Sequence, residues 1–141
     1  ILHAAVSPGG KIYRNTGGAW EMVAETGAKF VWALAFAGDG ALYAASGDEG
    51  KLWRVAGGKA ELWWESGQAN LTALAVAADG GLLVGSDPNG MLYKIVAKGR
   101  ARALYDAPFA EIRSIVPGTN GEVYFLGMGG VAAKKGAGAL P

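Results

Sequence analysis

The chain repeats itself about every 40 residues, and no other feature limits its possible folds as tightly. Gly10-Lys11-Ile12-Tyr13-Arg14 returns as Gly50-Lys51-Leu52-Trp53-Arg54 and again as Gly90-Met91-Leu92-Tyr93-Lys94. Ala33-Leu34-Ala35 returns as Ala73-Leu74-Ala75 and then changes to Ser114-Ile115-Val116. Asp39-Gly40, Asp79-Gly80 and Asn120-Gly121 mark one more phase of the same unit. Such regularity decides architecture and leaves function largely open.

Each unit reads as four short strands. Val31 to Phe36 is small and apolar, as a strand covered on both faces should be. Asp39-Gly40 is a strong hairpin signal, because both central turn positions favour positive φ. Leu42 to Ala45, Leu52 to Val55 and Glu61 to Glu65 follow as strands, separated by Ser46 to Gly50 and by Gly57-Gly58. The next unit copies this order with Leu71 to Val76, Leu82 to Ser86, Leu92 to Val96 and Ala101 to Asp106. One residue is inserted near Lys98-Gly99, at a hairpin turn where insertion is tolerated. No segment joins helical periodicity to a capping signal. With 24 glycines, 51% hydrophobic and 18% charged residues, the composition fits short elements joined by tight turns and argues against disorder.

These units resemble the blades of a β-propeller. The order of small apolar strand, Asp-Gly, Leu-Tyr-Ala-Ala, loop and Gly-Lys-Leu-Trp-Arg is similar to bacterial propellers of WD40-like, NHL-like and gluconolactonase-like type. The Gly-His and Trp-Asp dipeptides of eukaryotic WD40 blades are missing. The resemblance implies an all-β chain of four-stranded antiparallel blades over residues 1–127. Residues 1–27 form a partial blade, 28–67 and 68–108 two whole ones, and 109–127 another partial one. Residues 128–141 read as a Gly- and Ala-rich tail carrying Lys134-Lys135.

The blade count does not close. Leu2-His3-Ala4-Ala5 aligns with Leu42 to Ala45, so the first blade starts at its second strand; Ile112 to Val116 and Val123 to Leu126 supply only two strands of the last. Propellers usually hold about four to eight blades, so one chain is expected to give an incomplete ring. The rest of a longer propeller of which this chain is a piece, further blades from another chain, or a second copy would complete it. In one such arrangement Ile112 to Val116 fills the first blade of a second copy and six blades result. There Val123 to Leu126 competes with Leu2 to Ala5 for one slot.

The resemblance also implies that inner strands line a channel whose mouth takes the ligand. Positions that repeat are fixed by blade geometry, and polar or aromatic positions that differ are free for function. The most variable is Trp32, Thr72 and Arg113, at the entrance of the first strand, with Asn70 and Glu111 as neighbouring oxygen donors. Asp48, Glu49, Asp87 and Asn89 lie in equivalent loops, and their oxygens suit calcium, although Asp-Pro-Asn-Gly is also an ordinary turn. No other cofactor is expected. Trp63 and Trp64 are adjacent on a strand, so alternation sends one between blades and the other, Trp64 as a binding candidate, toward solvent.

His3 shares its slot with Tyr43, Leu83 and Tyr124, which reads as packing, and no serine has a neighbouring base for an acyl-transfer triad. There is no cysteine. Net charge is +1, and even the Lys94, Lys98, Arg100, Arg102 stretch lacks the footprint of a nucleic-acid binder. No apolar run reaches the roughly 18 residues that span a bilayer. Neither nucleic acid nor membrane is expected as a partner; a soluble protein is, with periplasm and exterior both open.

The leading expectation is a non-catalytic module, a scaffold binding protein or small ligand on the channel face. Against it stands a metal-dependent propeller enzyme, lactonase- or lyase-like, for which Glu111 and Asn70 offer few ligands. Sugar or peptide binding through Trp32 and Trp64 is the third reading.

Overall fold

The Asp-Gly, Asn-Gly and Gly-Gly pairs fall on turns, and the apolar segments between them are strands. The computed structural model describes residues 1–129, and among these are thirteen strands and no helix. The first blade holds β1 (Leu2–Val6), β2 (Lys11–Asn15) and β3 (Glu21–Glu25). The second holds β4 (Phe30–Phe36), β5 (Leu42–Gly47), β6 (Lys51–Ala56) and β7 (Lys59–Glu65). The third holds β8 (Asn70–Val76), β9 (Leu82–Asp87), β10 (Met91–Ala97) and β11 (Arg100–Asp106). The fourth keeps β12 (Glu111–Pro117) and β13 (Val123–Met128). Met128 therefore closes a strand instead of opening the tail, and the rest of the tail, from residue 130 with its two lysines, lies outside the described residues.

Pairing within every blade is antiparallel between consecutive strands. A single pairing, Gly47 with Asn70, joins the second and third blades into one sheet.

The core lies between blades. Along β5, Leu42 and Ala44 face back and pack with Ile12 and Ala24, whereas Tyr43 and Ala45 face forward and pack with Leu71, Leu82, Val84 and Ile95. Leu83 and Leu92 repeat the forward role against Ile112 and Ile115. Every residue of β5 is buried because blades press on both its faces, which explains why the strand carries alanine, serine and glycine.

At the two ends of the arc the same slots lack a neighbour. Leu2 is 64% exposed where Leu42 and Leu82 are 4% and 5%, and Val6 is 46% exposed where Ser46 and Ser86 are 1% and 0%. Tyr124 and Leu126 are 64% and 56% exposed where Tyr43 and Ala45 are 4% and 0%.

One expectation fails on a local irregularity. Leu52 pairs with Trp64 and Trp53 with Leu62, which leaves Trp63 as the extra residue of a bulge in β7. Alternation is broken there, so both tryptophans turn to the core shared with the third blade. Trp63 meets Tyr43 edge-on at 5.8 Å and Trp64 meets Tyr93 at 5.0 Å. Trp64 is buried and is not an exposed binding residue; Leu62 is the residue of this trio left exposed.

Among the described residues no helix is long and apolar enough to cross a membrane.

Candidate functional site

The repeated Gly of Gly-Lys-Leu-Trp-Arg explains how the loops at one end of the blades are held. Gly10, Gly50 and Gly90 have φ of 62°, 53° and 53°. Their carbonyls accept backbone N–H bonds from Thr26, Ser66 and Ala107 at 2.9, 3.1 and 3.0 Å. The Thr26 and Ser66 hydroxyls donate to the same carbonyls and accept from Ala28 and Gln68. A Cβ on Gly50 would lie 2.1 Å from the Gln68 carbonyl oxygen, so only glycine fits. This clasp brings the loop before each inner strand against the loop after each second strand.

Each inner strand bulges at its entrance. Val31 pairs with Ser46 and Ala33 with Ala45, which leaves Trp32 without a cross-strand mate. Thr72 and Arg113 are the extra residues at the same step of β8 and β12. The three positions that vary most among the repeats are therefore the three bulge residues. A bulge re-aims its side chain out of the sheet's alternation, so it is the one place on the strand where side chain can change without disturbing the blade.

Two of these residues reach the following blade. The Trp32 indole N–H donates to the Asn70 amide oxygen at 3.1 Å, and the Thr72 hydroxyl donates to the Ile112 carbonyl at 2.7 Å. Arg113 folds back on Glu111 of its own strand at 3.1 Å.

Asn70 is the hub of the site. Besides the indole, its oxygen accepts the Asp48 backbone N–H at 3.3 Å, and its amide donates to Asp87 at 3.1 Å. Gly47 must be glycine here too, because a Cβ would fall 2.1 Å from the indole nitrogen and 2.3 Å from the Asn70 oxygen. Trp32 stacks on Phe30 with ring centres 5.2 Å apart, and Lys29 lies 5.4 Å over the Phe30 ring. Trp32 remains 47% exposed, so an aromatic platform faces solvent beside an amide and two carboxylates.

A cavity of about 340 Å³ opens next to it between the Thr26 to Lys29 loop and the Ser46 to Lys51 loop, with Trp53 in its wall. Asp48 pairs with Lys29 at 3.3 Å, and Glu49 pairs with Lys51, whose ammonium it holds above its ordinary pKa. The four calcium candidates therefore each have another partner. Asp48 and Glu49 are each engaged by a lysine, Asp87 takes the Asn70 amide, and Asn89 donates to Gln68 at 2.8 Å. Among the described residues no three His, Cys, Asp or Glu side chains gather as a metal would need. His3 packs edge-on against Phe36 at 4.9 Å, away from these loops.

The structure thus unites Trp32, Asn70, Asp48 and Asp87, sets Arg113 and Glu111 apart as a pair, uses Thr72 as an interblade tie, and removes Trp64 to the core. Sequence reasoning passed over Gln68, whose amide also donates to the Tyr93 hydroxyl at 3.1 Å. The same signal was present, since Gln68 stands where the other repeats have Ala28 and Phe109.

No family model matches the chain, and no curated protein matches it. Among solved structures it is similar to selenomethionine-substituted virginiamycin B lyase from Staphylococcus aureus, at 16% identity and a TM-score of 0.66. The match covers 87% of this chain and 47% of that one, so the chain spans about half the length of its structural neighbour. At this identity the likeness is one of fold, that of a β-propeller.

Proposed function

We propose that the chain is a non-catalytic β-propeller module, of the bacterial WD40-like, NHL-like or gluconolactonase-like kind. It acts as a scaffold that takes a protein or small ligand at its channel mouth. Its ring is completed by further blades, from a second copy or another chain. The observation that carries this reading is the coincidence of the bulge with the variable position. Where the blade must repeat, it repeats; where the chain is released from the ladder, it presents Trp32, Thr72 and Arg113. Trp32 is held in one orientation by Asn70, and a fixed, half-exposed indole loses little entropy on contact with a ligand. Asp48 and Glu49, which a catalytic metal would need free, are already neutralised by lysines.

The alternative is a metal-dependent enzyme of lactonase or lyase type, with the lyase named above as its support. Titration of the indole-labelled protein with neutral oligosaccharides and short peptides, followed by NMR, separates the two. A shift of the Trp32 indole signal that is lost in Trp32→Phe supports the binding module. Stoichiometric calcium or zinc in the purified protein, displaced by Asp87→Asn together with a hydrolytic or eliminating activity, favours the enzyme.

A further inference from the structure

We infer that the cavity between the first and second blades takes the guanidinium of an arginine, laid on the Trp53 ring and paired with Glu49. The inference deepens the channel-mouth reading, and it rests on that reading in one respect, that a bound peptide presents the arginine.

The repeat shows what belongs in this space. Between the second and third blades Gln68 fills it: its amide donates to the Tyr93 hydroxyl at 3.1 Å and accepts from Asn89 at 2.8 Å. Between the third and fourth, the Phe109 ring lies so close to Gly127 that a Cβ there would fall 2.5 Å from it. Between the first and second, the same position is Ala28, and Trp53 and Glu49 stand where Tyr93 and Asn89 stand. A methyl group cannot bridge to either, and a cavity of about 340 Å³ is left between them. That lies at the small end of the roughly 300–1,000 Å³ of ligand sites, which suits a single side chain.

The walls change with the filling. Around Gln68 the rim carries Ala69, Pro88, Asn89 and Met91; around the cavity the same four positions are Lys29, Asp48, Glu49 and Lys51. Lys29 pairs with Asp48, while Lys51 is shared by Glu49 and Glu65, the latter at 3.5 Å. Three carboxylates thus meet two ammoniums, and one negative charge is in excess. Glu49 is the carboxylate that can be released, because it is exposed and Lys51 keeps Glu65. A metal would need several carboxylates freed at once, whereas one cationic group needs only this one.

The chemistry of the two contacts selects the group. Asn89 donates to Gln68, but Glu49 only accepts, so the occupant must be a donor. The Trp53 N–H is already given to the Ser46 hydroxyl at 3.1 Å, which leaves its ring as the surface offered. A planar, cationic donor that stacks on an indole and pairs with a carboxylate is a guanidinium.

NMR titration of the wild-type chain tests this, with N-acetyl-arginine amide as probe and its flat but uncharged citrulline counterpart as control. The arginine probe is expected to shift the Trp53 indole signal saturably, and the citrulline probe to bind at least ~10-fold more weakly. Ala28→Gln, which supplies the side chain that Gln68 supplies one blade on, should abolish the shift. Glu49→Gln should weaken it ~10-fold. Circular dichroism checks both folds, and Ala28→Met replaces the first variant if it does not fold. No saturable Trp53 shift up to about 50 mM, well past the millimolar affinity so small a ligand reaches, would overturn the inference. Equal binding of the citrulline probe, or binding undiminished in Ala28→Gln or Glu49→Gln, would overturn it too. The channel-mouth reading is scored separately by the Trp32 signal. A Trp53 response with Trp32 silent to every peptide keeps the arginine site and removes the mouth; a Trp32 response with Trp53 silent removes the arginine site alone.

Discussion

The indole nitrogen of Trp32 donates to the side-chain oxygen of Asn70 across 38 residues of chain and one blade boundary. The bond does two things: it fixes the orientation of an exposed aromatic ring, and it ties one inner strand to the next. Trp32→Phe and Asn70→Ala should each lower stability by ~1 kcal/mol. A double-mutant cycle in urea should show coupling of about 0.5–1.5 kcal/mol between them. Coupling indistinguishable from zero would mean that the pair does not hold the ring.

Gly50 and Gly57 have nearly the same φ, 53° and 57°, and opposite surroundings. A Cβ on Gly50 meets the Gln68 carbonyl, while a Cβ on Gly57 meets nothing within 4 Å. Gly57→Ala should cost about 1–2 kcal/mol, the left-handed conformation alone. Gly50→Ala should cost ~3 kcal/mol or more, because the clasp with Ser66 must also open. Denaturant midpoints of the two variants compare them directly, and equal losses would remove the clasp from the account.

Much of this fold was legible because the repeat can be checked against itself. Asp-Gly at constant phase overrides the helical propensity of Ala33 to Ala37, and each expected strand appears within a residue or two of its place. The four blade positions of residues 1–129 were legible by counting. The bulges were not, because a bulge is one residue of register, which sequence alternation cannot register until the partner strand is known. Hence Trp63 and Trp64 were sent to opposite faces, while the variability at Trp32, Thr72 and Arg113 marked the inner bulges without explaining them. The Asn70 hub is a tertiary fact: its partners Trp32, Asp48 and Asp87 come from three separate strands and loops.

Tyr105 stands in β11 where the second blade has Trp64, and it packs at 5.9 Å against Phe125. Its hydroxyl is buried with no hydrogen-bond partner among the described residues. A buried hydroxyl without a partner carries the cost of leaving water with no bond to offset it. Tyr105→Phe should therefore raise stability by ~1 kcal/mol in the isolated chain, read as a higher urea midpoint at unchanged slope. A loss of similar size would show that the hydroxyl is satisfied in solution.

At the end of the blades opposite the clasp, two hairpin carboxylates contribute to the response to acid. The Asp39 side chain accepts the Ala41 N–H at 3.0 Å and is approached by Tyr43 and Arg54; Asp79 accepts from Gly81 and pairs with Lys94. Asp39 is held below its ordinary pKa of 3.8 chiefly by the Ala41 bond, and Asp79 chiefly by the Lys94 bond. Both groups bind protons more readily unfolded than folded, so their contribution is whole above about pH 4 and lost as pH falls through the depressed folded values. Urea midpoints should thus hold steady from neutrality to about pH 5, as far as these two groups govern them, and decline below pH 4. The double variant Asp39→Asn, Asp79→Asn should be less stable at neutral pH and show a shallower acid decline. An acid slope equal to that of the wild type would place the titration elsewhere.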